Sequence, residues 1–272
     1  QVMREYYQSC RESASRGRKL AWATAIMPTE LLVAADIDAI FPENHSATCG
    51  TKGLGPQLCE LAEGDGLSQE VCSYVRCDLG VRLGGPSPWG GLAKPDLLFC
   101  STASCGTVAK WFQDVARAYG AELFVVDMPY NFSGEITDHS TTYIVRQLEE
   151  VIATIERVTH RPYDRDRLAH VLELSRLAHD YWRKCLELGA MKPSPITTTD
   201  MLINMGPIVC LRGTEMAVEV SRTLYEELRE RVATGYVAAG HERFRLLWDN
   251  IPFWFALGSL IRKLSDLGGA VV

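Results

Sequence analysis

The segment EVCSYVRCDLG, residues 70–80, sets Cys72 and Cys77 five positions apart beside a tyrosine, an arginine and an aspartate. A thiol placed there can pack in a core, form half of a disulfide or ligate a metal. The same choice arises at Cys105, in CSTASCGTVAKW, where a strand gives way to a helix. A helix N-terminus offers unpaired N–H groups and partial positive charge, which favour a thiolate over a thiol. Cys72, shortly after Ser68 as an expected N-cap, shares that advantage. Thiols at two helix N-termini, separated by 33 residues, can converge on one ion or cluster. Spacing alone leaves burial and ligation both open for them. Cys77 lies some 140° round a helix from Cys72 and cannot share its site unless the helix breaks. Cys100, inside the strand, is expected to pack, as are Cys10, Cys59, Cys185 and Cys210 among apolar helix residues.

Other polar residues join the candidates. Glu43, Asn44 and His45 follow a strand end, a crevice position where His45 can act as a proton donor or coenzyme contact, or simply sit in a capped, solvated loop. Arg76, one turn beyond Cys72, can neutralise a cluster or substrate charge or pair with Asp78. Asp127 ends a strand and can cap a turn. Trp111 is expected in the core.

The chain has 272 residues, of which 47% are hydrophobic and 23% charged, the balance of a globular protein. Its nine cysteines, odd in number, scattered and without any CxxC pair, do not read as a disulfide framework or a zinc ribbon. Net charge is −6 with no dense basic run, which argues against nucleic acid. No apolar stretch approaches the roughly 20 residues of a bilayer span. The opening QVMREYYQSCRES, polar and basic, does not read as a secretory signal, and none is expected. A cytoplasmic protein with reduced thiols is expected.

The elements that must position these residues follow from periodicity and breakers. Helix is expected over 3–18, strand near 19–25, helix from Thr29 as N-cap, strand near 38–41 and helix near 55–63 closed by Gly64 and Gly66. KPDLLFCS, TASCGTVAKWFQDVARAYG and AELFVVDMPYN form a βαβ unit, the mark of a parallel sheet. Residues 140–190 read as helical and MKPSPITTTD, 191–200, as a break. Two further helices precede a second unit, in which RLLWDN is a strand, a helix is closed by Gly268-Gly269, and AVV starts another strand. The expected fold is α/β, with two Rossmann-like domains, parallel sheets and a helical segment. The domains are 1–196, with its helical extension, and 197–272, the start of a second domain that looks incomplete.

CSYVRCDLG followed by PDLLFCSTASCGTVAKWFQDVARAYGAELFVVDMPYN resembles the family of 2-hydroxyacyl-CoA dehydratases and ATP-dependent benzoyl-CoA reductases. The upstream PTELLVAADIDAIFPENHSATCG is similar to the same family's first segment. The resemblance is specific from about Lys19 to Asn131 and looser beyond. It implies two Rossmann-like domains with a [4Fe–4S] cluster between them, held by three cysteines per subunit, with Cys72 and Cys105 at the first two positions. No cysteine before Val272 matches the third, which either lies further on or is missing. An open iron position would make such a cluster more than a relay. Family members act on CoA thioesters, take an electron from a separate ATP-driven iron–sulfur activator, and pair with a homologous subunit or a second copy. In dehydratases a ketyl radical expels the 2-hydroxyl group; in reductases the aromatic ring is reduced. The wording CSYVRCDLG and CGTVAKWFQ leans to the reductase branch. A dehydratase subunit, a double-cubane cluster reductase and a non-catalytic electron relay are the alternatives.

Overall fold

A computed structural model describes residues 2–103, 105–132 and 134–271. Ser104, within the expected βαβ unit, and Val272, at the end of the expected last strand, lie outside the described residues.

The first compact unit comprises residues 3–49 and 54–169. Its centre is a four-stranded sheet of β1 (Leu20–Ala23), β2 (Asp38–Ile40), β3 (Leu97–Ser101) and β4 (Glu122–Val126), ordered β2-β1-β3-β4. Every pairing is parallel, with Trp22 opposite Ile40 and Leu98, and Phe99 opposite Phe124. The two central strands, LAWA and LLFCS, are buried along their whole length, whereas β2 and β4 are only partly so. Continuous apolar runs are what a sheet covered on both faces requires. The chain moves outward from β1 to β2, then returns past β1 to β3. The order therefore reverses between β1 and β3, where open α/β sheets bind ligands beyond their carboxyl ends.

Helices α1 (Val2–Arg11), α2 (Glu30–Ala34), α3 (Pro42–Thr51), α4 (Gly55–Gly64), α5 (Ser73–Arg82), α6 (Gly106–Tyr119) and α7 (Asp138–Thr159), with a 3-10 turn at Ala14–Arg16, accompany the sheet. Thr29 occupies the position before α2, but its hydroxyl makes no capping bond. Gly120, at φ 63°, stops α6 as expected. The helix after α6 and β4 begins earlier than its serine and threonines indicate, because Thr137 and Ser140 close a reciprocal capping box. Helix α3 stands where the sequence offers a loop. Pro42 suits the first helical position, and the buried residues are Pro42, His45, Ser46 and Cys49 on one face with Ala47 beside them. That spacing is helical, but small and polar residues carry it, so apolar periodicity does not reveal it.

The second unit comprises Val2, residues 50–53 and residues 170–272. Helix α8 (Arg165–Gly189) leads into it, followed by α9 (Thr198–Cys210) and α10 (Glu215–Ala233), the latter two capped by Thr197 and Thr214. Cys185, Ile196 and Leu228 form an apolar cluster here. β5 (Phe244–Leu246), α11 (Leu257–Asp266) and β6 (Gly269–Val271) make a second βαβ unit with parallel pairing. The chain is thus α/β, with parallel sheets and many helices. No described helix is long and apolar enough to cross a membrane.

Candidate metal centre

Helices α5 and α6 are locked side by side by two polar contacts one turn apart. The indole Nε1–H of Trp111 donates to Asp78 Oδ2 at 2.8 Å, and Arg82 Nη2–H donates to Asp114 Oδ2 at 2.5 Å. Arg82 also binds Asp78 at 3.1 Å, and Val75 and Val108 share the same apolar cluster. The partners 78/111 and 82/114 advance in the same direction along both helices. Going back six residues from Asp78 reaches Cys72, and going back six from Trp111 reaches Cys105. Both cysteines therefore stand at the N-terminal ends of the two helices that these contacts join.

Each cysteine is the N-cap of its helix, and neither side chain spends itself on a capping bond. The expected cap Ser68 stands further back, where its hydroxyl accepts the Glu70 N–H in a local turn. Of nine cysteines, Cys72 and Cys105 alone are exposed. Burial pushes the thiols of Cys10 and Cys100 up to about 12, and those of Cys49 and Cys185 to about 11. Burial raises Cys77 too. Buried and protonated at neutral pH, these thiols are less open to an incoming metal than the two exposed ones. Among the described residues no group of three or more His, Cys, Asp or Glu side chains is arranged to hold a metal ion. What this chain offers is two accessible sulfurs, each over the uncapped N–H groups of a helix start. Those donors fit two corners of a thiolate-held iron–sulfur cluster, whose net negative charge suits that field.

The remaining candidates are placed differently. Arg76 binds Glu63 rather than Asp78, and its Nε–H donates to the Val71 carbonyl at 2.9 Å, which braces the turn just ahead of Cys72. Burial raises the Asp78 carboxyl even though Arg82 and Trp111 pull the other way. Trp111 is a core residue, as expected, at 3% exposure. Asp127 accepts from Thr102 and Tyr143 beyond the end of β4. His45 is not in a solvated loop: it lies in α3, fully buried, with Nε2 2.9 Å from Ser87 Oγ and the Tyr7 ring centroid 6.2 Å away. Burial drives its pKa down to about 4, so the imidazole is neutral.

At the reversal point of the sheet a second polar group appears. The Ala25 N–H, just past β1, donates to Glu43 Oε2 at 2.7 Å. Burial raises the Glu43 carboxyl above its ordinary range. Beside it Thr24 keeps its hydroxyl buried with no hydrogen-bond partner among the described residues. Sequence reasoning passes over Thr24; its position directly after a fully apolar strand is the one available signal.

Residues 24–272 match the family described as 2-hydroxyglutaryl-CoA dehydratase, D-component. The chain is 30% identical over 258 residues to the (R)-phenyllactyl-CoA dehydratase alpha subunit of Clostridium sporogenes, covering 94% of this chain and 63% of that protein. It is 30% identical over 269 residues to the (R)-2-hydroxyisocaproyl-CoA dehydratase alpha subunit of Clostridioides difficile, covering 98% and 66%. It is 31% identical over 254 residues to a benzoyl-CoA reductase subunit of Thauera aromatica, covering 89% and 59%. The chain thus spans less than two thirds of the length of each of these relatives. Identity favours neither the dehydratases nor the reductase.

Proposed function

Given that this chain belongs to the 2-hydroxyglutaryl-CoA dehydratase D-component family, we propose that it is the iron–sulfur subunit of an enzyme that reduces a CoA thioester. Cys72 and Cys105 hold two irons' worth of thiolate ligation to a [4Fe–4S] cluster or a double-cubane cluster, and one further thiolate completes the set. A single observation carries this reading: the two thiols singled out by the resemblance are the two exposed ones, each at the N-cap of its helix. When bound, the cluster supplies electrons at low potential to the thioester.

The chain's own residues do the rest. The N–H groups at the starts of α5 and α6 offset the cluster's negative charge. Arg76, tied to Glu63 and the Val71 carbonyl, fixes the direction from which Cys72 approaches. Glu43, oriented by the Ala25 N–H at the reversal point of the sheet, is the carboxyl placed to pass a proton to the departing hydroxyl or the reduced ring. His45, sealed from solvent, acts through the Ser87 loop and not at the reacting atoms.

The two βαβ-containing regions, 1–196 and 197–272, are Rossmann-like lobes in this reading. The working assembly adds a homologous iron–sulfur subunit or a second copy and an ATP-driven electron donor, in the cytoplasm. The wording around Cys72 and Cys105 favours the reductase branch. The dehydratase reading stands beside it because two of the three relatives above are dehydratase subunits.

Anaerobic purification of the chain with its partner subunit, followed by iron and sulfide analysis, tests the assignment. Cys72→Ala and Cys105→Ala each lose the cluster, whereas Cys77→Ala keeps it. Full iron content in either of the first two removes that cysteine from the ligand set. Loaded protein given benzoyl-CoA or an (R)-2-hydroxyacyl-CoA, with the activator and ATP, separates the branches by product.

A further inference from the structure

We propose that a groove between α1 and the loop following α5 binds the 3′-phosphoadenosine diphosphate end of a CoA thioester. The inference rests on the proposed CoA-thioester chemistry and gives that substrate a place on this chain.

The groove has a volume of about 650 Å³, within the range of small-molecule sites. Arg4, Gln8, Arg11 and Glu12 line it from α1, and Trp89 lines it from the loop, with Tyr7 beneath. It gathers two guanidinium groups on a chain whose net charge is −6. Several guanidinium groups of the same unit face carboxylates: Arg16 and Arg18 pair with Asp38, Arg76 with Glu63, Arg82 with Asp78 and Arg167 with Asp36. Among the described residues Arg4 and Arg11 have no carboxylate partner. Arg11 is held instead by a neutral acceptor, its Nη1–H donating to the Trp89 carbonyl at 2.8 Å, which leaves its charge uncompensated. Two such guanidinium groups, seven residues apart on one helix, lie on the same face. They suit a ligand carrying two separate phosphate charges.

The wall opposite is aromatic and fixed in place. Tyr7 and Trp89 stack with ring centroids 5.1 Å apart and 9° between planes, which offers a flat slab for a purine. Glu12, whose Oε1 accepts from Gln8 at 3.0 Å, adds an acceptor suited to a ribose hydroxyl or the adenine amino group. The loop is shaped for this contact. Gly90 has φ 73°, and a Cβ there would stand 2.6 Å from Arg11 Nη1. His45 holds Ser87, two residues before Trp89, and the Ser87 hydroxyl also accepts the Trp89 N–H at 3.3 Å. The buried imidazole is therefore a positioning residue for the groove's wall.

Isothermal titration of the full chain with CoA, 3′-dephospho-CoA and ADP tests the proposal, using wild type, Arg4→Gln, Arg11→Gln and Trp89→Leu. Arg4 makes no hydrogen bond or ion pair within the described residues, so Arg4→Gln leaves the fold intact, and melting curves check the other two. Loss of the 3′-phosphate or of either guanidinium weakens binding at least about tenfold. If all three variants bind CoA as wild type does, the groove is the wrong place while the CoA-thioester reading survives. If wild type has no affinity for CoA, this site and that reading fall together. If ADP binds as tightly as CoA, the assignment to a 3′-phosphorylated ligand is wrong.

Discussion

Replacing His45 by glutamine should change how the stability of the protein depends on pH. The imidazole is fully enclosed, and burial alone takes its pKa from the usual 6.5 to about 4. Its neighbours, the Ser87 hydroxyl, the Cys49 thiol and the Tyr7 ring, offer no charge to rescue an imidazolium. A histidine with a depressed folded-state pKa contributes stability above its unfolded pKa and loses it as pH falls, because the unfolded chain binds the proton first. The loss therefore begins near pH 6.5 and is complete near pH 4. At ~1.4 kcal/mol per pH unit it amounts to roughly 3 kcal/mol over that window. The assay is urea unfolding of the cluster-free chain at half-unit steps from about pH 7.5 to about pH 4.5, a range that brackets most of the expected loss. Subtracting the His45→Gln curve cancels carboxylate titrations common to both proteins. The difference should be flat above about pH 7 and slope by up to one proton's worth below about 6.5. Parallel curves across the whole range would refute a buried neutral imidazole, and with it the claim that His45 supports the Ser87–Trp89 loop as a neutral partner.

Three other outcomes are expected. Gly80→Ala places a Cβ 2.2 Å from the Leu58 carbonyl oxygen, so α4 and α5 must separate; denaturant unfolding should show a loss of about 2–3 kcal/mol. Asp78→Ala leaves the Trp111 indole N–H without its acceptor and Arg82 without its buried partner, for a loss of about 3 kcal/mol or more, whereas Asp78→Asn keeps an acceptor and loses less. Equal losses in the two variants would mean that the hydrogen bond does not join the helices. Glu43→Gln relieves a carboxyl whose pKa burial raises above 4.5, so ionisation costs stability as pH climbs; the variant should melt higher than wild type, with a gap that opens above pH 4.5 and closes below it.

The sequence makes some of this architecture readable and hides the rest for identifiable reasons. KPDLLFCS, with its uninterrupted apolar run and a helix behind it, announces β3, α6 and the placement of Cys105 at a helix start. RLLWDN and Gly268-Gly269 mark β5, α11 and β6, although β5 already ends at Leu246 and residues 247–250 fall outside it. Helix α3 is hidden because its inward face is Pro42, His45, Ser46 and Cys49, which no hydrophobicity scale marks as a stripe. His45 reads as a loop residue for the same reason. The error at Ser68 is local chemistry: the hydroxyl satisfies Glu70 in a turn, and the helix begins after Cys72 instead. Sequence proximity matches Arg76 to the carboxylate two residues away, but neighbours at that spacing point to different sides of a helix. Its partner, Glu63, arrives from α4. Least visible is the bond between Trp111 and Asp78, since nothing local announces a contact between side chains 33 positions apart.

That pairing has a consequence for what can vary in such a chain. The stretch between α5 and β3 can lengthen or shorten without moving either sulfur, because each cysteine is measured from its own anchor. The intervals from Cys72 to Asp78 and from Cys105 to Trp111 enjoy no such freedom. One residue gained or lost inside either would swing its thiol by about 100° and slide it about 1.5 Å along the axis, aiming it away from its twin. Two short rulers of equal length, not the long loop between them, set the gauge of the pair.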